Sequence, residues 1–345
     1  MMLDEIHYVD LKPQILKNER VKLERFLKQH DLAYEDDIEF SIAAMNDQDE
    51  IIACGCCTKN ILKCFAVNSD LRGINIIGQI TTRLVANRFE NHCKHLFIFT
   101  KPDNEKIFQS CGFYLLGKTK EIVLLENIKS GIERYVKSIK VEATGKIGSI
   151  VMNCNPFTKG HAFLIEYASK KCDLLYIFVV EENESIFPFD VRFKLVKNGI
   201  AHLSNVVVVP SGPYIISRLT FPTYFLKDKI DPQKAQSELD AELFSTKIAR
   251  NLGITIRFVG EEPNCQVTRA YNQTLQKILP LHGIELEVIE RRLNQRGIVI
   301  SASTVRSRIK EDGIGDWLEE YLPAVTCDYL RSNEAKSVIK GILEN

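Results

Sequence analysis

The sequence predicts two α/β domains in tandem: a mixed-sheet domain, then one built on a parallel sheet. Three observations carry that expectation. The chain has 345 residues, room for about two domains of roughly 150 residues each. Hydrophobic residues make up 45% and charged residues 26%, enough apolar matter for two cores and too much for a largely disordered chain. From residue 146 onward, short apolar runs alternate with amphipathic stretches. That alternation belongs to strand–helix units whose parallel sheet is covered on both faces.

The first domain is expected over residues 1–126. Lys12 to His30 reads as an amphipathic helix. Ile38 to Ala44, Glu50 to Cys57 and Ile61 to Val67 follow as strands separated by polar turns. Ile74 to Arg88 is helical in pattern, His95 to Phe99 a short strand, Asn104 to Ser110 a short helix, and strand resumes at Phe113. Residues 127–145, charged and interrupted by Gly131 and Gly145, read as a connector. The second domain, 146–345, opens with a strand from Lys146 to Met152. Then come helix Thr158 to Lys171, strand Leu174 to Val180, helix Asp190 to His202 and strand Asn205 to Val209. Asp231-Pro232 starts a helix reaching about Asn251, since proline suits a first helical turn. Ile254 to Val259 and Ile284 to Ile289 are further strands flanking a helix from Val267 to Ile278.

Lys plus Arg and Asp plus Glu are both 45. Zero net charge excludes a general nucleic-acid binder and a polybasic membrane binder, because both need a positive excess. No apolar run approaches the roughly 20 residues that span a bilayer, and the acidic start Met1-Met2-Leu3-Asp4-Glu5 is no signal peptide. A cytoplasmic location is therefore expected, with the ten cysteines as reduced thiols. Cys54, Cys56 and Cys57 lie on a predicted strand without a paired CxxC, so buried thiols are expected and no metal site.

Ligands of parallel sheets bind at the carboxyl ends of the strands. The first such junction reads Asn153-Cys154-Asn155-Pro156-Phe157-Thr158-Lys159-Gly160-His161. A helix start offers unpaired N–H groups and the positive end of a dipole, which suit an anion. Thr158 and His161, three apart, share one face of the first turn and can reach one phosphoryl group. A capping threonine with an incidental histidine is the plainer alternative. A second helix start, Ile300-Ser301-Ala302-Ser303-Thr304-Val305-Arg306, brings three hydroxyls and an arginine that can fork onto a polyphosphate.

Together the two segments resemble the HxGH nucleotidyltransferase superfamily, with Thr158-Lys159-Gly160-His161 as its H/T-x-G-H motif and Ile300 to Arg306 as its ISSTxVR-type motif. The resemblance implies a Rossmann-like domain in which a bound acceptor attacks the α-phosphate of ATP and pyrophosphate leaves. Positioning and charge stabilisation then carry the catalysis. A closer resemblance spans nearly the whole chain. Asn155 to His161, Ser211 to Ser217, Thr220 to Phe225, Phe258 to Pro263 and Ile300 to Ser303 are similar, in order, to the citrate lyase ligase family.

That family resemblance implies ATP- and acetate-dependent acetylation of a thiol. The thiol sits on the phosphoribosyl-dephospho-coenzyme-A arm of the citrate lyase acyl-carrier subunit, and an acetyl-adenylate forms on the way. Mg²⁺ is expected with ATP, held mainly by phosphates and water, and no tightly bound cofactor. His161 and Arg306 are the implied catalytic groups. Asn155, Thr158, Gly160, Gly260, Glu261, Ser301, Ser303 and Thr304 complete the implied ATP site. Arg192 is a candidate either for the pocket or for a surface salt bridge, and Tyr214 for the acetate pocket or the core. Arg72-Gly73 in a strand-to-helix loop, with Cys111-Gly112-Phe113, makes the first domain similar to the GNAT acetyltransferase fold. This implies that Arg72 and Gly73 meet the carrier arm, although Asn75 stands where a second glycine is expected. An adenylyltransferase acting on a phosphorylated small molecule is the competing reading of the catalytic motifs alone.

Overall fold

The computed structural model describes residues 6–71, 74–181, 185–216, 221–226, 230–262, 266–294 and 297–344. The chain forms two compact units, Met1–Ile132 with Thr220–Leu243, and Glu133–Leu219 with Phe244–Asn345.

The first unit holds a seven-stranded sheet in the order β1-β2-β3-β4-β5-β7-β6. Its strands are β1 (His7–Leu11), β2 (Phe40–Met45), β3 (Ile51–Thr58), β4 (Ile61–Val67), β5 (Phe97–Thr100), β6 (Tyr114–Lys118) and β7 (Val123–Glu126). Every neighbouring pair is antiparallel except β4 and β5, which pair in parallel at Ile61↔Phe97 and Leu62↔Ile98. The helices are α1 (Lys17–Gln29), α2 (Ile76–Glu90) and α3 (Glu105–Ser110). Ile80 and Leu84 of α2 join Ile42, Ile98, Phe108 and Val123 in one buried cluster.

Two elements at the start of this unit differ from the sequence expectation. Helix α1 begins at Lys17, because Lys12 to Leu16 form a turn in which the Ile15 and Leu16 N–H groups donate to the Lys12 carbonyl. Strand β1 has only five residues and gains its form from pairing with β2. Segment 221–226 and the helix Pro232–Leu243 also belong to this unit. The Tyr224 hydroxyl donates to the Phe99 carbonyl at 2.8 Å, and Phe221 meets Phe99 edge-on. Leu239 and Leu243 pack over Gly117 of β6.

In the connector, residues 131–139 form a helix, α4 (Gly131–Ile139), with Ile132 and Val136 buried. The second unit is a five-stranded, wholly parallel sheet in the order β10-β9-β8-β11-β12. Its strands are β8 (Ile147–Met152), β9 (Leu174–Val179), β10 (Val206–Pro210), β11 (Ile254–Gly260) and β12 (Glu285–Ile289). Helices α5 (Lys159–Ser169) and α6 (Phe189–Gly199) connect the first three strands. The chain runs out of α7, the helix Pro232–Leu243, through a π-helical turn at Phe244–Ala249 and the short α8 (Arg250–Leu252) into β11. Then come α9 (Gln266–Ile278), α10 (Ala302–Asp312), α11 (Leu318–Tyr321), α12 (Ala324–Arg331) and α13 (Lys336–Glu344). No helix among the described residues is long and apolar enough to cross a membrane.

Strand β8 is first in sequence yet central in the sheet. The connections leave to β9 and β10 on one side and arrive at β11 and β12 on the other. The crevice at the carboxyl ends of β8 and β11 is thus the topological switch point of the sheet, where open α/β sheets take their ligands.

Candidate active site

The loop leaving β8 is fixed by one buried cation. Arg192 of α6 is fully buried. Its guanidinium donates to the carbonyls of Asn153, Val180 and Phe187 and to the Asn153 side-chain oxygen, at 2.7–2.9 Å. It is neither a pocket residue nor a surface salt bridge but an internal strut that ties the end of β8 to the end of β9. Asn155 is held in turn, its side-chain oxygen accepting from the Phe187 N–H at 3.0 Å.

Thr158 then caps α5. Its hydroxyl oxygen accepts from the His161 N–H, and His161 Nδ1 accepts from the Thr158 N–H at 3.1 Å. A backbone N–H can only donate, so Nδ1 carries no proton and the ring proton sits on Nε2. The neutral ring lies parallel to Phe157, with centroids 6.2 Å apart. Burial, and secondarily the charge of Arg291, push the His161 pKa down to about 4. His161 at neutral pH is therefore a neutral hydrogen-bond donor rather than a cation.

Helix α10 starts in the same way. Ser301 caps it by accepting from the Thr304 N–H at 3.1 Å, and its hydroxyl also meets those of Ser303 and Thr304 at 2.9 and 2.8 Å. The two helix starts, far apart in sequence, stand together. A Cβ on Gly160 would lie 2.7 Å from the Ile300 carbonyl oxygen, so only glycine lets α5 approach the residue before the Ser301 cap. Arg306 of α10 donates to the Asn155 carbonyl, closing the same contact from the other side, and burial lowers its pKa.

Gly260 and Glu261 lie at the end of β11. The Gly260 carbonyl accepts from Asn272, and the Glu261 N–H donates to the Ile289 carbonyl of β12. A Cβ at Gly260 would meet open space, so this glycine is not required by protein packing. The Glu261 side chain is exposed. Tyr214 is buried with its ring 5.2 Å from that of Tyr135, a packing position. Cys154 is buried and its thiol pKa is pushed up, so it is protonated at neutral pH. Arg72 and Gly73 lie outside the described residues.

Sequence reasoning missed Arg291. It follows β12 by two residues, and its Nε donates to the Glu261 carbonyl at 2.7 Å. The basic pair Arg291-Arg292 at a predicted strand end was the available signal.

The arrangement gathers two capped helix starts, a neutral imidazole N–H and a guanidinium at one strand-end crevice, which is what a polyphosphate needs. A family model for the citrate lyase ligase C-terminal domain matches residues 147–330. A [citrate [pro-3S]-lyase] ligase of Haemophilus influenzae is 40% identical over 317 residues, covering 90% of this chain and 94% of that protein. A phosphopantetheine adenylyltransferase of Streptococcus gordonii is 33% identical over 112 residues, covering 31% of this chain and 68% of that protein. The crystal structure of a GNAT-family acetyltransferase from Staphylococcus aureus Mu50 aligns with a TM-score of 0.29 at 11% identity, covering 35% of this chain and 98% of that one. The family model takes in more than half the chain and the Haemophilus relative nearly all of it, and the site lies inside both matches: the chain belongs to the citrate lyase ligase family.

Proposed function

We infer that this enzyme activates acetate with ATP and delivers the acetyl group to the thiol arm of the citrate lyase acyl-carrier subunit. The observation that carries the reading is the meeting of the Thr158–His161 and Ser301–Arg306 helix starts at the Gly160–Ile300 contact. An acetate oxygen forms a bond to the α-phosphorus as the bond to the pyrophosphate oxygen breaks. The carrier thiol then gives up its proton to solvent, its sulfur attacks the acetyl carbon, the bond from that carbon to the AMP oxygen breaks, and AMP leaves.

His161 Nε2–H donates to a non-bridging α-phosphoryl oxygen, whose charge grows in the transition state. Arg306 and the N–H groups at the start of α10 hold the leaving pyrophosphate. No group of three or more His, Cys, Asp or Glu among the described residues could hold a metal. The Mg²⁺ that accompanies ATP on this reading would be held mainly by phosphates and water and would neutralise phosphate charge. The protonated Cys154 takes no part in transfer. ATP and a reduced carrier thiol place the reaction in the cytoplasm.

Acetate-dependent exchange of labelled pyrophosphate into ATP, measured without carrier, tests the first half. Exchange with acetate alone is expected. Exchange that ignores acetate but appears with a phosphorylated acceptor such as phosphopantetheine would replace this reading with the adenylyltransferase one.

The first unit, on this reading, recognises the carrier arm through Arg72 and Gly73. Arg72→Glu is expected to raise the carrier KM several-fold and to leave the exchange reaction unchanged. An unchanged carrier KM would reduce the unit to a scaffold.

A further inference from the structure

We propose that Arg291 binds the triphosphate of ATP, and that Glu262 holds its guanidinium until ATP arrives. The proposal rests on the reading of the site as an ATP site and adds to it a residue outside both helix-start motifs.

The first ground is position. Arg291 leaves the carboxyl end of β12, and Glu261 and Glu262 leave that of β11, the adjacent parallel strand. Arg291 is also the charged group that bears on the His161 ring. The backbone fixes it there. Just beyond it, the Arg292 carbonyl accepts from the Ile300 N–H at 3.1 Å, and Leu293 pairs with Val299. That antiparallel pairing delivers Ser301 directly to the start of α10. Arg291 and the Ser301 cap are thus two ends of one hydrogen-bonded device.

The second ground is charge. His161 is neutral, and Arg306 already gives one N–H to the Asn155 carbonyl. Two helix starts contribute about half a charge each. MgATP keeps a net negative charge that shifts onto the leaving pyrophosphate in the reaction, so a further cation is favourable there, and Arg291 is a partly buried one whose charge bears on His161. Its Nε is committed to the Glu261 carbonyl, but its Nη2 faces the Glu262 carboxylate, which is 11% exposed. That pair aligns the guanidinium, and on this proposal the Glu262 carboxylate holds the position that a phosphoryl oxygen later takes. A polyphosphate, with more charge and the same bidentate geometry, displaces a carboxylate from such a fork.

The alternative is that the pair is only a clip between two loops. The signs of two substitutions separate these readings. Equilibrium binding of MgATP is measured by calorimetry for the wild type, Arg291→Gln and Glu262→Gln. Arg291→Gln is expected to weaken binding by about tenfold or more. Glu262→Gln, which removes a competitor, is expected to leave affinity unchanged or to raise it a few-fold. A clip requires both substitutions to weaken binding together, and that result overturns the proposal. So does an Arg291→Gln affinity within twofold of wild type. Should Arg291→Gln not fold, Arg291→Lys, which keeps the charge but loses the planar fork, is expected to weaken MgATP binding a few-fold, and the sign for Glu262→Gln still decides. MgATP binding without acetate-dependent exchange would overturn the reaction and leave the Arg291 assignment to these affinities.

Discussion

His161→Ala is expected to lower acetate-dependent pyrophosphate exchange by about a hundredfold or more, as losing a donor to a developing oxyanion does elsewhere, at roughly 3 kcal/mol. The fall should appear in kcat more than in the KM for ATP, because the lost bond strengthens as charge builds on the α-phosphoryl oxygens. Arg306→Ala should lower exchange at least about tenfold, and it should also raise the KM. A His161→Ala enzyme within twofold of wild type would remove the imidazole from the chemistry.

The same residue has a pH signature. In the folded protein the ring should titrate near pH 4 by NMR, against the ordinary value of about 6.5 in the unfolded chain. The folded pKa lies below the unfolded one, so this histidine costs nothing above about pH 6.5. Below that, the unfolded chain takes up the proton first, and stability falls as pH drops from 6.5 to about 4. The loss is up to about 3 kcal/mol, and His161→Gln should abolish that part of the acid dependence. A ring titrating near pH 6.5 would contradict the Thr158–His161 cap geometry.

The largest effect on stability is expected at Arg192. Arg192→Met preserves bulk but leaves the carbonyls of Asn153, Val180 and Phe187 and the Asn153 side-chain oxygen without this donor in a fully buried place. Buried acceptors stripped of a charged partner cost about 3–5 kcal/mol together, which should lower the melting temperature by roughly 10 °C. Arg192→Lys should not restore it, since one ammonium cannot span carbonyls from three segments as a planar fork does. Exchange activity should fall at permissive temperature as well, because Asn155 hangs from the Phe187 N–H that the strut positions. A loss below about 1 kcal/mol would show that these carbonyls find other donors.

Much of this was legible along the chain because it is local. The strands of the second unit stand out as apolar runs, as their burial on both faces requires. Thr158 and Ser301 are readable as caps because a hydroxyl reaches an N–H three residues on within the same turn. Pro232 marks its helix start for an equally local reason. Elements without such a signature were not legible. Strand β1 exists through its pairing with β2, and the helix at 131–139 lies in a stretch whose glycine suggested a break.

Tertiary structure alone decided what each marked residue does. Gly160 is needed for the Ile300 carbonyl 140 positions away, so a glycine named in the implied ATP site is also required by the segment that enters α10. Arg192 could not be told from a surface arginine until the ends of β8 and β9 closed around it. His161 was legible only as an imidazole that could reach a phosphoryl group, and its neutrality comes from burial and from the Thr158 N–H aimed at Nδ1. Arg291 carries no motif and acquires meaning only because β12 lies beside β11. Periodicity and capping are set within a few residues and are written in the sequence. Burial, charge state and partnership depend on segments more than a hundred residues apart, and only the packed sheet brings those together.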